Sequence, residues 1–289
     1  MSGTEVAHAG GTRVAQPPSP PGPRRPGHRD LRTLKVMWQR EMIRFLGNRL
    51  QIGMGLLTPL MFLLILGTGL NEVGAGGGSY QGFLFPGVLM MALQAPAIAV
   101  GAAIVWDRQT GFLRQMLVAP VRRGTLLLGI CLGGATTGAA YAAMVLATAG
   151  IVGIPYRAGM LLVLLELALI SFAFTAMGVL AAVCITRPQT FQIAVSLAMM
   201  PMLFLSGAMF PASGLPGWLG TAVLLNPLTY GVDAVRRTLP GDGVVDYGGR
   251  AAGPELWGWA PPVALEVGLI AVLALLAVAV AGRRFTRAA

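Results

Sequence analysis

The chain is 289 residues long, 55% hydrophobic and only 11% charged, with a formal net charge of +10. Soluble domains carry about 25% charged residues, so a water-soluble enzyme or a nucleic-acid-binding domain is excluded. The basic excess sits beside long uncharged stretches, where it reports membrane orientation and not an acidic partner.

Residues 1–28 contain Pro17, Pro18, Pro20, Pro21, Pro23 and Pro26 and no apolar run. They read as a disordered cytoplasmic tail and not a signal peptide. Residues 29–289 form one membrane domain. It opens with an interfacial helix over 29–47, where Leu31, Leu34, Trp38, Met42 and Phe45 recur at helical spacing among Arg32, Lys35, Gln39, Arg40 and Arg44. Lying on the inner membrane surface, it serves either as a basic anchor or as a lever touching a cytoplasmic partner.

A crossing needs roughly 20 apolar residues, and the apolar stretches supply six, at about 50–70, 82–105, 124–150, 159–185, 189–210 and 260–282, the fourth and sixth each interrupted by one Glu. The expected fold is an all-α integral membrane protein of six transmembrane helices. Basic residues support that parity. Arg13, Arg24, Arg25, Arg29, Arg32, Lys35, Arg40, Arg44 and Arg49 precede span one, Arg108, Arg114, Arg122, Arg123 and Arg187 fall in inner loops, and Arg283, Arg284 and Arg287 follow span six. Both termini are therefore expected in the cytoplasm. The run from Pro188 to Val232 is too long for one span and tight for two. It is read as one span followed by short re-entrant helices on the outer side, with Trp218, Trp257 and Trp259 in the aromatic belt.

Absences narrow the chemistry. Lys35 is the only lysine and has no glycine-rich loop before it, so the chain has no P-loop for ATP. His8 and His28 are the only histidines and both lie in the tail, which leaves no histidine-based catalysis or zinc cluster in the membrane domain. No catalytic residue, metal site or cofactor is assigned. Cys131 and Cys184 are read as buried hydrophobes. The pairs Gly129/Gly133 and Gly134/Gly138 have the small-xxx-small spacing of closely packed helices.

Three groups of residues remain as functional candidates. Between spans two and three, Arg108, Gln109, Phe112, Leu113, Arg114 and Met116 belong to a short amphipathic helix closed by Pro120, either a force-transmitting element or a cap on the bundle. After span five, Asn226 and Pro227 break the chain, and Tyr230, Asp233 and Arg236 recur along one helical face. An Asp233–Arg236 pair there either gates an exit or is an ordinary surface pair. Glu166 and Glu266 lie inside apolar runs, roughly 10 Å below the outer ends of spans four and six. Acids at that depth either favour cations or relay protons, or else Glu266 sits at the interface and Glu166 is capped by a neighbouring Ser, Thr or Arg.

The Trp106–Arg123 segment, the run Phe204–Pro211 and the run Leu225–Arg236 together resemble the membrane subunits of type 2 ABC exporters, in particular the daunorubicin-resistance and nodulation-export permeases, over residues 30–285. The resemblance implies a bacterial inner-membrane permease that exports a drug, natural product or lipid-like molecule. Its partners would be two copies of an ABC ATPase, which carry the ATP and magnesium, and a second permease in a homodimer or heterodimer. It also implies docking of the 106–120 helix, with the amphipathic N-terminal helix, on the ATPase and a pathway at the dimer centre near spans one, two and five, lined by Met90, Gln94, Phe204 and Ser206. The rival reading is a proton-coupled secondary transporter using Glu166 or Glu266. A lipid-acting membrane enzyme is a weaker third, since no nucleophile and base cluster together.

Overall fold

The computed structural model describes residues 26–73, 80–110, 123–209, 216–240, 253–254 and 259–287. Among them the chain forms nine α-helices and no extended strand. They are α1 (Pro26–Gly47), α2 (Arg49–Val73), α3 (Tyr80–Gln109), α4 (Arg123–Leu146), α5 (Met160–Cys184), α6 (Pro188–Phe204), α7 (Gly217–Leu225), α8 (Pro227–Thr238) and α9 (Val263–Arg287). A short 3-10 turn, Ala149–Val152, follows α4. Five helices are long and apolar enough to cross a membrane: α2, α3, α4, α5 and α9. α6 has 17 residues and falls just short of that length.

The helix ends follow from local chemistry. Arg187 is extended and Pro188 opens α6 at a position where a missing N–H costs nothing. Asn226 closes α7 and caps α8, its side chain accepting the Leu228 N–H at 3.1 Å, while Pro227 occupies the first turn. The third predicted span runs to residue 150, whereas α4 stops at Leu146; the sixth begins at 260, whereas α9 starts at Val263 behind Pro261 and Pro262. α3, at 30 residues, is about 45 Å long. It outreaches a hydrocarbon core of about 30 Å, which is why Trp106 near its end is exposed.

α3, α4 and α5 form the centre, with α9 against α5 and α2 against α3. Close approach is set by the glycine pairs. A methyl on Gly134 would meet Thr175 and Val100, and one on Gly138 would meet Ser171 and the Leu93 carbonyl, so this pair seats α4 against α5 and α3. The other pair faces α1: Gly129 meets Leu34 and Met37, and Gly133 meets Trp38 and Glu41. Phe45 then packs against Tyr141 with the rings tilted at 60° and their centres 5.5 Å apart. Contacts rise in register along both helices, so α1 runs beside α4 in the same direction. The apolar face of this helix is thus occupied by α4, a partner that its periodicity alone did not name.

Candidate functional site

A cavity of about 590 Å³ opens between α1, α2, α3, α4 and α6. Its walls are apolar and adaptable, with Met54, Met91, Met199, Met200, Ile52 and Leu203 among them. Its polar rim comes from Glu41, Arg44, Asn48 and Gln51, where α1 turns into α2. Gln94 is buried, lines the cavity, and leaves its Nε2 without a hydrogen-bond partner. Tyr141 donates to the Gln51 carbonyl at 3.2 Å and fixes the start of α2 against α4. Burial pushes the Glu41 carboxyl above the usual range, opposed by Arg44 and Arg40 and reinforced by Asp107.

Of the four residues expected along a pathway, only Gln94 lines this cavity. Met90 is 0% exposed in the hydrophobic core. α3 is buried on nearly every side, so periodicity could not say which residues face an opening. Ser206 is buried and turned onto its own backbone, donating to the Leu203 carbonyl at 2.7 Å and accepting the Ala208 N–H at 3.3 Å. Phe204 is 42% exposed on the outward face of α6. The rim residues escaped the sequence reading because they matter only once α1 is seated on α4. A lone acid, Glu41, within a strongly basic helix was the available signal.

The second polar region joins α5, α8 and α9. Asp233 is ion-paired, but with Arg237 at 2.6 Å and not with Arg236, a contact short in distance yet not aligned as a hydrogen bond. Arg237 also donates to the Pro261 carbonyl at 2.7 Å and so ties α8 to the approach to α9. Arg236 points the other way. At 1% exposure it donates to the Gly207 carbonyl at 2.9 Å and the Phe83 carbonyl at 3.4 Å, with its guanidinium 4.5 Å from the Phe83 ring centre. The expected Asp233–Arg236 gate pair is thus corrected. The i,i+4 spacing of Asp233 and Arg237 was the signal that the i,i+3 reading passed over. Tyr230 is buried and donates to the Leu224 carbonyl at 2.8 Å, which with the bond from Asn226 Nδ2 to the Met202 carbonyl locks the α7–α8 corner.

Glu166 accepts from Thr238 at 2.8 Å, the threonine cap anticipated as one alternative. Glu266 is fully buried and neither of its carboxylate oxygens has a hydrogen-bond partner; Asp233, Arg237 and Glu166 are the charged groups that act on it. Among the described residues these acids do not converge as metal ligands.

Of the residues expected to meet an ATPase, Arg108 is half-buried and Gln109 exposed at the end of α3. Phe112, Leu113, Arg114 and Met116 lie outside the described residues.

The long apolar helices, with a cavity between them and charged groups buried in the bundle, define a multi-pass membrane protein. A model of the ABC-2 type transporter family matches residues 32–239, more than half the sequence, and the chain belongs to that family. It is 31% identical over 216 residues to nodulation protein J of Rhizobium leguminosarum bv. trifolii, covering 73% of this chain and 82% of that protein. It is 24% identical over 214 residues to the putative transport permease ycf38 of Cyanophora paradoxa, covering 71% and 73%. It is 25% identical over 211 residues to the inner membrane transport permease YadH of Escherichia coli K12, covering 70% and 81%. Membership implies association with an ABC ATPase subunit, and the permeases it resembles accord with a membrane subunit that is not itself an enzyme.

Proposed function

We propose that this chain is the membrane-spanning subunit of an ATP-driven exporter in a bacterial inner membrane. It moves a hydrophobic or amphipathic molecule, a drug, natural product or lipid-like compound, out of the cytoplasm or inner leaflet. It works as a dimer on two copies of a separate ATPase. The cavity carries this reading: Met54 and Met200 line it and are themselves exposed, on a face that α2 and α6 leave apolar through Leu57, Met61, Ile193 and Leu197. A second permease seated on that face would close the cavity from lipid and complete a pathway between two copies.

Six spans with cytoplasmic termini fit this reading. At 17 residues α6 reaches about 26 Å, the lower end of the spanning range. α7 and α8, with 9 and 12 residues, are too short to cross and serve as the re-entrant pair between spans five and six. The 106–120 segment, with Arg108, Gln109, Phe112, Leu113, Arg114 and Met116, docks on the ATPase. ATP binding there shifts the permease between inward-open and outward-open states.

The test is transport in proteoliposomes holding the permease with its co-purified ATPase. Export of a hydrophobic dye driven by ATP, and abolished by Leu113→Asp with the permease still inserted, is the expected result. Export that runs on a proton gradient without the ATPase would replace this reading by the secondary transporter that the buried Glu266 favours. A cysteine in place of Thr286 should stay unlabelled by an impermeant thiol reagent added outside.

A further inference from the structure

α1 is fastened to both helices that flank residues 111–122. On one side Arg40 Nη2 donates to Asp107 Oδ2 at 2.9 Å, the two side chains being 32% and 23% exposed. On the other, Trp38 Nε1 donates to Thr136 Oγ1 at 3.0 Å, one turn beyond the glycines that admit Met37 and Glu41. Both fastenings fall within three residues of α1. Residues 111–122 link α3 to α4 along the chain, and α1 bridges the end of α3 and the middle of α4 beside that link.

Asp107 is placed against local preference. A carboxylate in the last turn of a helix meets the negative end of the helix dipole and is disfavoured there. Pairing with Arg40 offsets that cost, so the residue serves contact between helices and not the stability of α3. α1 in turn leads directly into α2 through Asn48, whose Oδ1 accepts the Gln51 N–H at 3.1 Å. Asn48, Gln51, Ile52 and Met54 all line the cavity.

We propose that Arg40 and Asp107 form a positioning tie that makes α1, the end of α3 and the first half of α4 move as one body, so that a push on residues 111–122 reaches the cavity wall through α1 and Asn48. The inference rests on the reading of that segment as the ATPase-docking surface. Neither side chain is asked to touch the transported molecule.

The experiment uses the full permease with its ATPase, comparing wild type, Arg40→Asp, Asp107→Arg and the charge-swapped double variant. ATP hydrolysis is measured in proteoliposomes. Spin labels at the exposed positions Gln39 and Gln109 report the α1–α3 distance in the same samples. Each single reversal should cut hydrolysis by about fivefold or more with the ATPase still bound, and should broaden the distance distribution. The swap should return both towards wild type. An unchanged distribution in the single variants, or a swap no better than either, overturns the tie. Restored distances with unrestored hydrolysis overturn the transmission role. Should the wild-type permease hold no ATPase, the export reading fails, and the distance distributions alone decide the tie.

Discussion

Arg236 is the largest of the fully buried side chains and holds three parts of the bundle at once: α8, the turn after α6 at Gly207, and the first turn of α3 at Phe83. Truncating it to alanine leaves two buried carbonyls without their donor, at about 1–3 kcal/mol each, the lower figure for Phe83 because its bond is already long. The lost ring contact adds about 0.5–2 kcal/mol. Relief from burying a charge works in the opposite direction. The net expectation for Arg236→Ala is a loss of about 2–4 kcal/mol, a fall of on the order of 10 °C in the unfolding midpoint of the purified permease. Arg236→Met, which refills the volume without restoring the donors, should recover about half of that. The assay is thermal unfolding in detergent, followed by the loss of the monodisperse peak in gel filtration. An alanine variant within about 0.5 kcal/mol of wild type, or a methionine variant no better than alanine, would refute the assignment of Arg236 as a clamp.

Gly138→Ala places a methyl onto Ser171 Oγ and should destabilise by about 1–3 kcal/mol; adding Ser171→Ala removes the overlapping atom and should return most of the loss, measured by the same unfolding assay. A double-mutant cycle of Asp233→Asn with Arg237→Gln should give a coupling of about 0.5–3 kcal/mol, larger than the cycle of Asp233→Asn with Arg236→Gln; the reverse order would restore the i,i+3 pair. Because burial raises the Glu41 carboxyl above its ordinary value of 4.5, its contribution to stability is full below that value and is lost as pH rises through the raised one. Glu41→Gln, which resembles the protonated acid, should therefore melt higher than wild type at neutral pH and converge with it in acid.

Much of the fold was legible because hydrocarbon imposes a crude rule: a charge-free stretch of sufficient length crosses, and its flanks show in the arginines. The Asn226–Pro227 break was legible because both residues act locally, one as a cap and one through its missing donor. The glycine pairs were legible as packing sites because their spacing matches a helix face. Rotational phase was not. Depth along a face was not legible either: Met90 and Gln94 lie one turn apart on the same face of α3, and periodicity cannot separate the core position from the cavity position. α8 is covered on several sides, and whether Arg236 or Arg237 meets Asp233 depends on what stands opposite each. The cavity rim was the least legible part, since Glu41 and Arg44 acquire it through contacts made some 90 residues along the chain.

That separation bears on synthesis. α1 ends at Gly47, while the surface it rests on begins at Gly129, about 80 residues later. At a ribosomal rate of roughly 5–20 residues per second, α1 leaves the tunnel about 4–16 s before its groove exists. Through that interval the newborn helix is amphipathic and unseated, held at the bilayer surface by Leu31, Val36, Ile43 and Leu46, which stay outward-facing even in the finished molecule. Its outer face is therefore made for lipid from the first moment, and its inner face waits for a partner not yet translated. Docking of α1 must therefore wait for Gly129 and Gly133 to be made, which sets it late in assembly.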